Sequence, residues 1–182
     1  MARVGVQLAA FGALALVLTA PRLALSEEIR AELRGFREVP SVSTPASGEF
    51  RGAISQDESS IEFELTFQGI QAPVRQAHIH LAQRSVNGGI IIFLCATNTT
   101  LPAVAPAGTQ LCPSAAGGSV SGTIHAGDVL AVTSQGIAPG ELGEVIRAIR
   151  AGVTYANVHS DQSPGGEIRG QIKASRGGHG HD

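Results

Sequence analysis

The stretch Ile61-Glu62-Phe63-Glu64-Leu65-Thr66-Phe67-Gln68 decides the fold class of this chain. Its apolar and polar residues alternate strictly, and successive side chains of a β-strand point to opposite faces. The stretch is therefore predicted to be a half-buried strand whose four apolar side chains face a core. The same alternation recurs at 29–34, where apolar residues alternate with charged ones.

Further short β-patterned segments follow along the chain, and glycine, proline or serine separates most of them. They cover residues 48–55, 75–82, 89–95, 120–125, 153–159 and 167–174. Short strands at this spacing predict an all-β fold, an antiparallel Greek-key or immunoglobulin-like sandwich or barrel of about eight strands.

One segment, 140–151, has a helical rather than a strand period. Its apolar residues Leu142, Val145, Ile146 and Ile149 follow the i, i+3, i+4, i+7 spacing of an amphipathic helix. Gly152 suits the position just after the last helical turn. The sequence therefore predicts one short helix packed on the β structure.

Residues 1–26 are predicted to be a cleaved signal peptide. An apolar run follows Arg3, and Ala24 and Ser26 occupy the small-residue positions of a cleavage site. The alternative is an uncleaved anchor, since about 17 apolar residues approach the length that spans a bilayer. Cleavage leaves no membrane span and places the protein in the extracellular space or the periplasm.

The remaining chain divides into a predicted β domain, 27–174, and a flexible tail, 175–182, in which His179 and His181 lie among glycines. The domain is long enough to enclose a proper core. The whole chain carries a formal charge of −2, and its basic residues are scattered rather than clustered. A nucleic-acid surface is therefore not expected.

Two cysteines, Cys95 and Cys112, are the only ones in the chain. In an exported protein such a pair predicts one disulfide, which would close a loop rich in proline and small residues. A pair of thiolate metal ligands is the alternative, although no further cysteine or nearby histidine supports it. Asn98 stands in a formal glycosylation motif, whose use depends on the unknown source organism.

Three histidines are the candidate functional residues. His78 and His80 share one face of the strand Ala77-His78-Ile79-His80, and His159 lies on a second strand-like stretch. Three neutral imidazoles suit copper or zinc, with a carboxylate such as Glu167 or Asp161 orienting one ring.

Two other interpretations of these histidines stay open. In one, they form a buried polar network with Asn157, Glu167 and Arg169 and no metal. In the other, they line an exposed cleft that recognises an extracellular protein or a glycan. The sequence contains no nucleophile elbow, no Ser-His-Asp order and no paired-carboxylate motif, so no catalytic residue is predicted.

Four segments together resemble the chordin (CHRD) domain family. They are the Ala77-His78-Ile79-His80 strand, the 88–95 strand, the 140–152 helix and the stretch from Tyr155 to Ile172. The resemblance spans roughly 27–173. It implies a secreted, non-catalytic binding or structural module. Chordins carry this domain in repeats beside cysteine-rich modules, whereas this chain has one copy and no such module, so growth-factor antagonism is not implied.

A second resemblance, to copper–zinc superoxide dismutase, involves fewer residues. That family also has a His-x-His strand and a late Val-His before a glycine-rich stretch with an arginine. The likeness implies that His78, His80 and His159 are copper ligands and that Arg169 attracts an anionic substrate. His125 does not match the histidine that bridges copper and zinc there. A copper-dependent redox enzyme is thus the alternative function.

Overall fold

The computed structural model describes residues 1, 26–97, 100, 102–113 and 116–175. Most of the predicted signal peptide, at 2–25, lies outside the described residues. Asn98 and most of the predicted tail, at 176–182, also lie outside them. Within the described part, no helix has the length and apolar character needed to cross a membrane.

The described chain contains nine strands, one α-helix and three short 3-10 helices. The helix, α1, spans Leu142–Arg150, at the predicted place. The strands are β1 Glu27–Arg34, β2 Ser47–Ile54, β3 Ser60–Gln68, β4 Val74–Leu81, β5 Gly89–Ala96, β6 Gly118–His125, β7 Thr154–Ser160, β8 Ile168–Gln171 and the two-residue β9 Lys173–Ala174.

All nine strands belong to one antiparallel sheet. Eight follow the order β5-β4-β7-β8-β1-β2-β3-β6, and β9 pairs with β1. The connections from β3 to β4 and from β6 to β7 pass between strands that are far apart in this order, as in a Greek key. The end strands β5 and β6 approach each other, so the sheet is a nearly closed barrel. The predicted fold class is confirmed, in its barrel form.

The alternating pattern places apolar side chains inside this barrel. Phe50, Leu65 and Ile79 are each completely buried in the core. The helix adds its predicted apolar stripe, because Val145 and Ile149 are also fully buried. Burial of these side chains is the main favourable term in folding the domain.

Gly152 ends the helix as predicted, with φ of +70°. Its N–H donates to the carbonyl of Ile149, and the N–H of Val153 donates to that of Ala148. This pair of hydrogen bonds is the Schellman motif, which favours glycine at the left-handed position. The helix end thus follows directly from the sequence.

Candidate functional site

The three candidate histidines lie on the neighbouring strands β4 and β7. Their antiparallel register sets His78 opposite Asn157, His80 opposite Tyr155, and His159 opposite Gln76. These six side chains share one face of the sheet. We call them the polar face.

Both faces of β4 and β7 are buried. The residues between the polar ones, including Ala77, Ile79 and Val158, belong to the hydrophobic core. On the polar face, His78 is 0% exposed, His159 4% and His80 7%. Loop backbone reaches this face, because ring nitrogens of His80 and His159 contact the carbonyl oxygens of Gly88 and Pro164.

Backbone carbonyls fix the protonation of two of the imidazoles. His80 Nδ1 lies 2.9 Å from the carbonyl oxygen of Gly88, and His159 Nδ1 lies 2.9 Å from that of Pro164. A carbonyl oxygen can only accept a hydrogen bond, so both Nδ1 atoms carry the hydrogen. In the neutral ring, Nε2 of each histidine is then left with a lone pair.

A glutamine fixes the third imidazole. Gln76 Nε2 donates to the carbonyl oxygen of Ala103 at 2.7 Å, and Gln76 Oε1 accepts from the Ala103 N–H at 3.2 Å. These two bonds set the orientation of the amide. Its Oε1 lies 3.0 Å from His78 Nε2, so this nitrogen donates and Nδ1 holds the lone pair.

The three nitrogens that keep a lone pair lie close together. His78 Nδ1 and His159 Nε2 face each other at 3.1 Å, and these protonation states leave no hydrogen between them. His80 Nε2 is buried and has no hydrogen-bond partner. One ring nitrogen of each histidine lies within 4.8 Å of the other two. Facing acceptors repel each other, so a cation at this point would stabilise the arrangement.

Burial keeps these imidazoles neutral. It lowers the pKa of His78 to about 2, and the pKa values of His80 and His159 to about 4. The charges of neighbouring histidines lower the pKa of His78 further. A proton therefore cannot relieve the repulsion at neutral pH, and the lone pairs stay available.

A stack of side chains extends from His80 across the sheet. Its ring lies parallel to that of Tyr155, with centroids 4.7 Å apart. The guanidinium carbon of Arg169 lies 3.4 Å from the centroid of the Tyr155 ring. Arg169 also donates to the backbone oxygen of Val86 and to Asn87 Oδ1, which hold this buried cation in place. The stack fixes the plane of the His80 ring.

Asn157 and Glu38 lie next to this stack. The Asn157 side chain raises the pKa of His80 and lowers the pKa of Glu38. Its own Oδ1 nevertheless makes no hydrogen bond. Glu38 Oε1 is likewise buried without a partner. Burial raises the pKa of Glu38 to about 7, against the opposing effect of Arg169. A buried polar atom without a partner costs free energy, so these orphaned oxygens lie where a further ligand would be favourable.

Glu167 is close to the site but bonds to no histidine. Its carboxylate accepts hydrogen bonds from Thr44 Oγ1 at 2.8 Å, from the Gln71 N–H at 3.1 Å and from Ser160 Oγ. It thus ties three segments together beside His159. Asp161 pairs with Arg75 at the surface and likewise leaves the histidines alone.

A disulfide joins Cys95 and Cys112, with the Cα atoms 4.9 Å apart. It closes the loop that contains Ala103, whose backbone holds the Gln76 amide. The predicted pairing is therefore supported, and the disulfide anchors one side of the histidine cluster.

The described part of the chain brings together one group of three or more metal-ligand side chains, and it is His78, His80 and His159. His125 lies elsewhere, at the end of β6, where its backbone N–H donates to Asp128. It takes no part in the cluster.

Sequence reasoning missed Gln76, Tyr155 and Glu38. The first two could have been found, because Gln76 shares the alternation of His78 and His80, and Tyr155 shares that of Asn157 and His159. Glu38 gives no such signal. It follows a short 3-10 helix, Gly35–Arg37, and reaches the site only through the folding of that loop.

The family model for the CHRD domain matches residues 29–172, which is most of the chain. No curated protein and no solved structure matches this chain.

Proposed function

Since this chain belongs to the CHRD domain family, we propose that it acts outside the cell as a non-catalytic binding module with one copper or zinc ion held by His78, His80 and His159. Family membership suggests an extracellular binding or structural module, and the disulfide fits that location. The apolar run and cleavage site near the N-terminus support export.

The observation that carries the metal proposal is the orientation of the three lone pairs. Each ring donates its other N–H to a fixed acceptor, and these acceptors are Gly88 O, Pro164 O and Gln76 Oε1. Outer acceptors of this kind select the ligating nitrogen of histidines in metal sites. A network without metal would instead place a hydrogen between His78 and His159.

The spacing of the nitrogens also fits a metal ion. Two nitrogens at about 2.0–2.1 Å from a tetrahedral ion lie about 3.3 Å apart, close to the 3.1 Å between His78 Nδ1 and His159 Nε2. His80 Nε2 lies within 4.8 Å of both nitrogens, so it would have to move closer to join them. Three imidazoles suit both Zn(II) and copper, and a bound ion would neutralise the repulsion between their lone pairs.

Metal titration of the mature chain, 27–182, tests the proposal. Substituting His179→Ala and His181→Ala removes the tail imidazoles as competing ligands. We expect one copper or zinc ion per chain, with affinity falling at least about a hundredfold in His80→Ala or His159→Ala. His125→Ala is the matched control, since this histidine lies outside the cluster, and it should leave the affinity unchanged.

Equal, weak binding by the parent and the His80→Ala protein would reject the metal site. The histidines would then form a structural network. Superoxide removal that depends on bound copper and disappears in His159→Ala would favour the redox enzyme over the binding module.

A further inference from the structure

A polar cavity lies on the outer side of the barrel, away from the hydrophobic core. It has a volume of about 600 Å³ and lies along β1, β8 and β9, under the loop segments 36–41 and 84–85. This volume is typical of sites for small organic ligands and far exceeds that of an inorganic ion.

The cavity is rich in positive charge. Five basic and three acidic residues line it, although the whole chain has a net charge of −2. Two of the acids are already engaged, because Glu32 pairs with Arg37 and Glu49 with Arg51. The third is Glu38, whose carboxyl group is buried beside Arg169.

Three cations of the cavity have no acidic partner among the described residues. They are Arg30, Arg84 and Lys173. The register also sets Arg30 directly opposite Lys173 on β9. Like charges in directly opposite positions destabilise a sheet. An anion in the cavity would remove this cost.

The loops over the cavity supply two further features. Ser85 lines it with a φ of +64°, a left-handed conformation that is strained for a residue with a side chain. Strain of this kind is concentrated at ligand sites. Phe36, at the cavity wall, is 76% exposed, and an aromatic ring that folding leaves in water can cover the apolar body of a ligand.

We propose that this cavity binds an organic anion with two or more carboxylates, held by Arg30, Arg84 and Lys173 and covered by Phe36. Guanidinium groups form two parallel hydrogen bonds with a carboxylate, which gives direction as well as charge. The three cations lie on β1, on β9 and in the loop segment 84–85, around a volume too large for a single ion. The carboxylates of the ligand should therefore be spread over an organic body. Binding of this anion does not require a metal ion.

Calorimetric titration with citrate tests this site in the metal-free mature protein at constant ionic strength. We expect a dissociation constant of about 1 mM or tighter. Arg30→Gln, Arg84→Gln and Lys173→Gln should each weaken binding about fivefold or more. Arg147→Gln is the matched control, because Arg147 is an exposed cation on α1 outside the cavity lining.

Two more probes identify the ligand. Tighter binding of a galacturonate trimer than of citrate, with loss in Phe36→Ala, would indicate an acidic saccharide, and the reverse order would indicate a small free acid. Either result supports the site. Equal binding of inorganic phosphate, no citrate binding by the parent protein, or an unchanged affinity in the three cavity variants would overturn it. Thermal unfolding of each variant checks that it is folded.

Discussion

The two faces of β4 and β7 are both buried, but different interactions stabilise their side chains. On the core face, Ile79 and Val158 are fully buried against other apolar side chains, and packing alone stabilises them. On the polar face, His78 is just as buried, but it depends on hydrogen bonds to defined atoms. One face tolerates any apolar side chain of suitable size, whereas the other depends on the atoms of the covering loops. A functional site is accordingly expected on the polar face.

Acidification should have the largest effect on stability, and it should act through the polar face. In the folded protein, burial lowers the pKa of each of the three histidines well below the ordinary 6.5, so only the unfolded state takes up protons below pH 6.5. Stability is then lost as the pH falls, by up to about 1.4 kcal/mol per pH unit for each histidine.

Glu38 has the opposite effect. Its pKa is raised to about 7 from 4.5, so the folded state keeps a proton that the unfolded state releases, and this contribution is lost as the pH rises through 7. The net loss for the metal-free protein should be about 3 kcal/mol between pH 6.5 and about pH 5. Urea unfolding across this range measures it, and Glu38→Gln should steepen the loss. A flat profile would contradict the burial of neutral histidines.

A core-face substitution should have the next largest effect. Ile79→Ala removes a fully buried side chain between the two histidines of β4, and the cavity should lower the free energy of unfolding by about 2–5 kcal/mol. Val86→Ala, at a 41% exposed position, is the control and should cost less than about 0.5 kcal/mol. The metal affinity of the folded Ile79→Ala protein should change little. A loss as large as that in His80→Ala would show that the two faces are not independent.

Substitution of Gln76 should have the smallest effect, but it tests the most specific contact of the site. In Gln76→Leu, His78 can move its hydrogen to Nδ1 and donate to His159, so the metal affinity should fall about 10–100-fold. Gln76→Glu keeps an acceptor next to His78 Nε2 and should retain more of the affinity. If both variants bind metal equally well, Gln76 does not set the protonation of His78. Unfolding in urea without metal separates this effect from a loss of stability.

Much of the fold could be predicted because it depends on local pattern. Alternation along β3, and the apolar spacing and terminal glycine of α1, each reflect the geometry of a single element. The choice of a barrel over a sandwich could not be made this way. It depends on how closely β5 and β6 approach each other, and that is a property of the whole sheet.

The candidate site was predictable only in part. Alternation put His78 and His80 on one face, but pairing of β4 with β7 brings in His159, which is 81 residues away from His78. Glu167, a candidate partner for the histidines, instead binds Thr44 and Ser160 because of where two loops meet. Such contacts between distant segments leave no periodic trace in the sequence.

The sequence by itself determined the β class, the helix, the cysteine pair and the residues that could bind a metal, since each follows from local periodicity or side-chain chemistry. Only the tertiary structure decided which nitrogen of each imidazole keeps its lone pair. That choice depends on the carbonyl oxygens of Gly88 and Pro164 and on the amide of Gln76. The carbonyls belong to covering loops, and a loop backbone is positioned by the fold rather than by its own side chains.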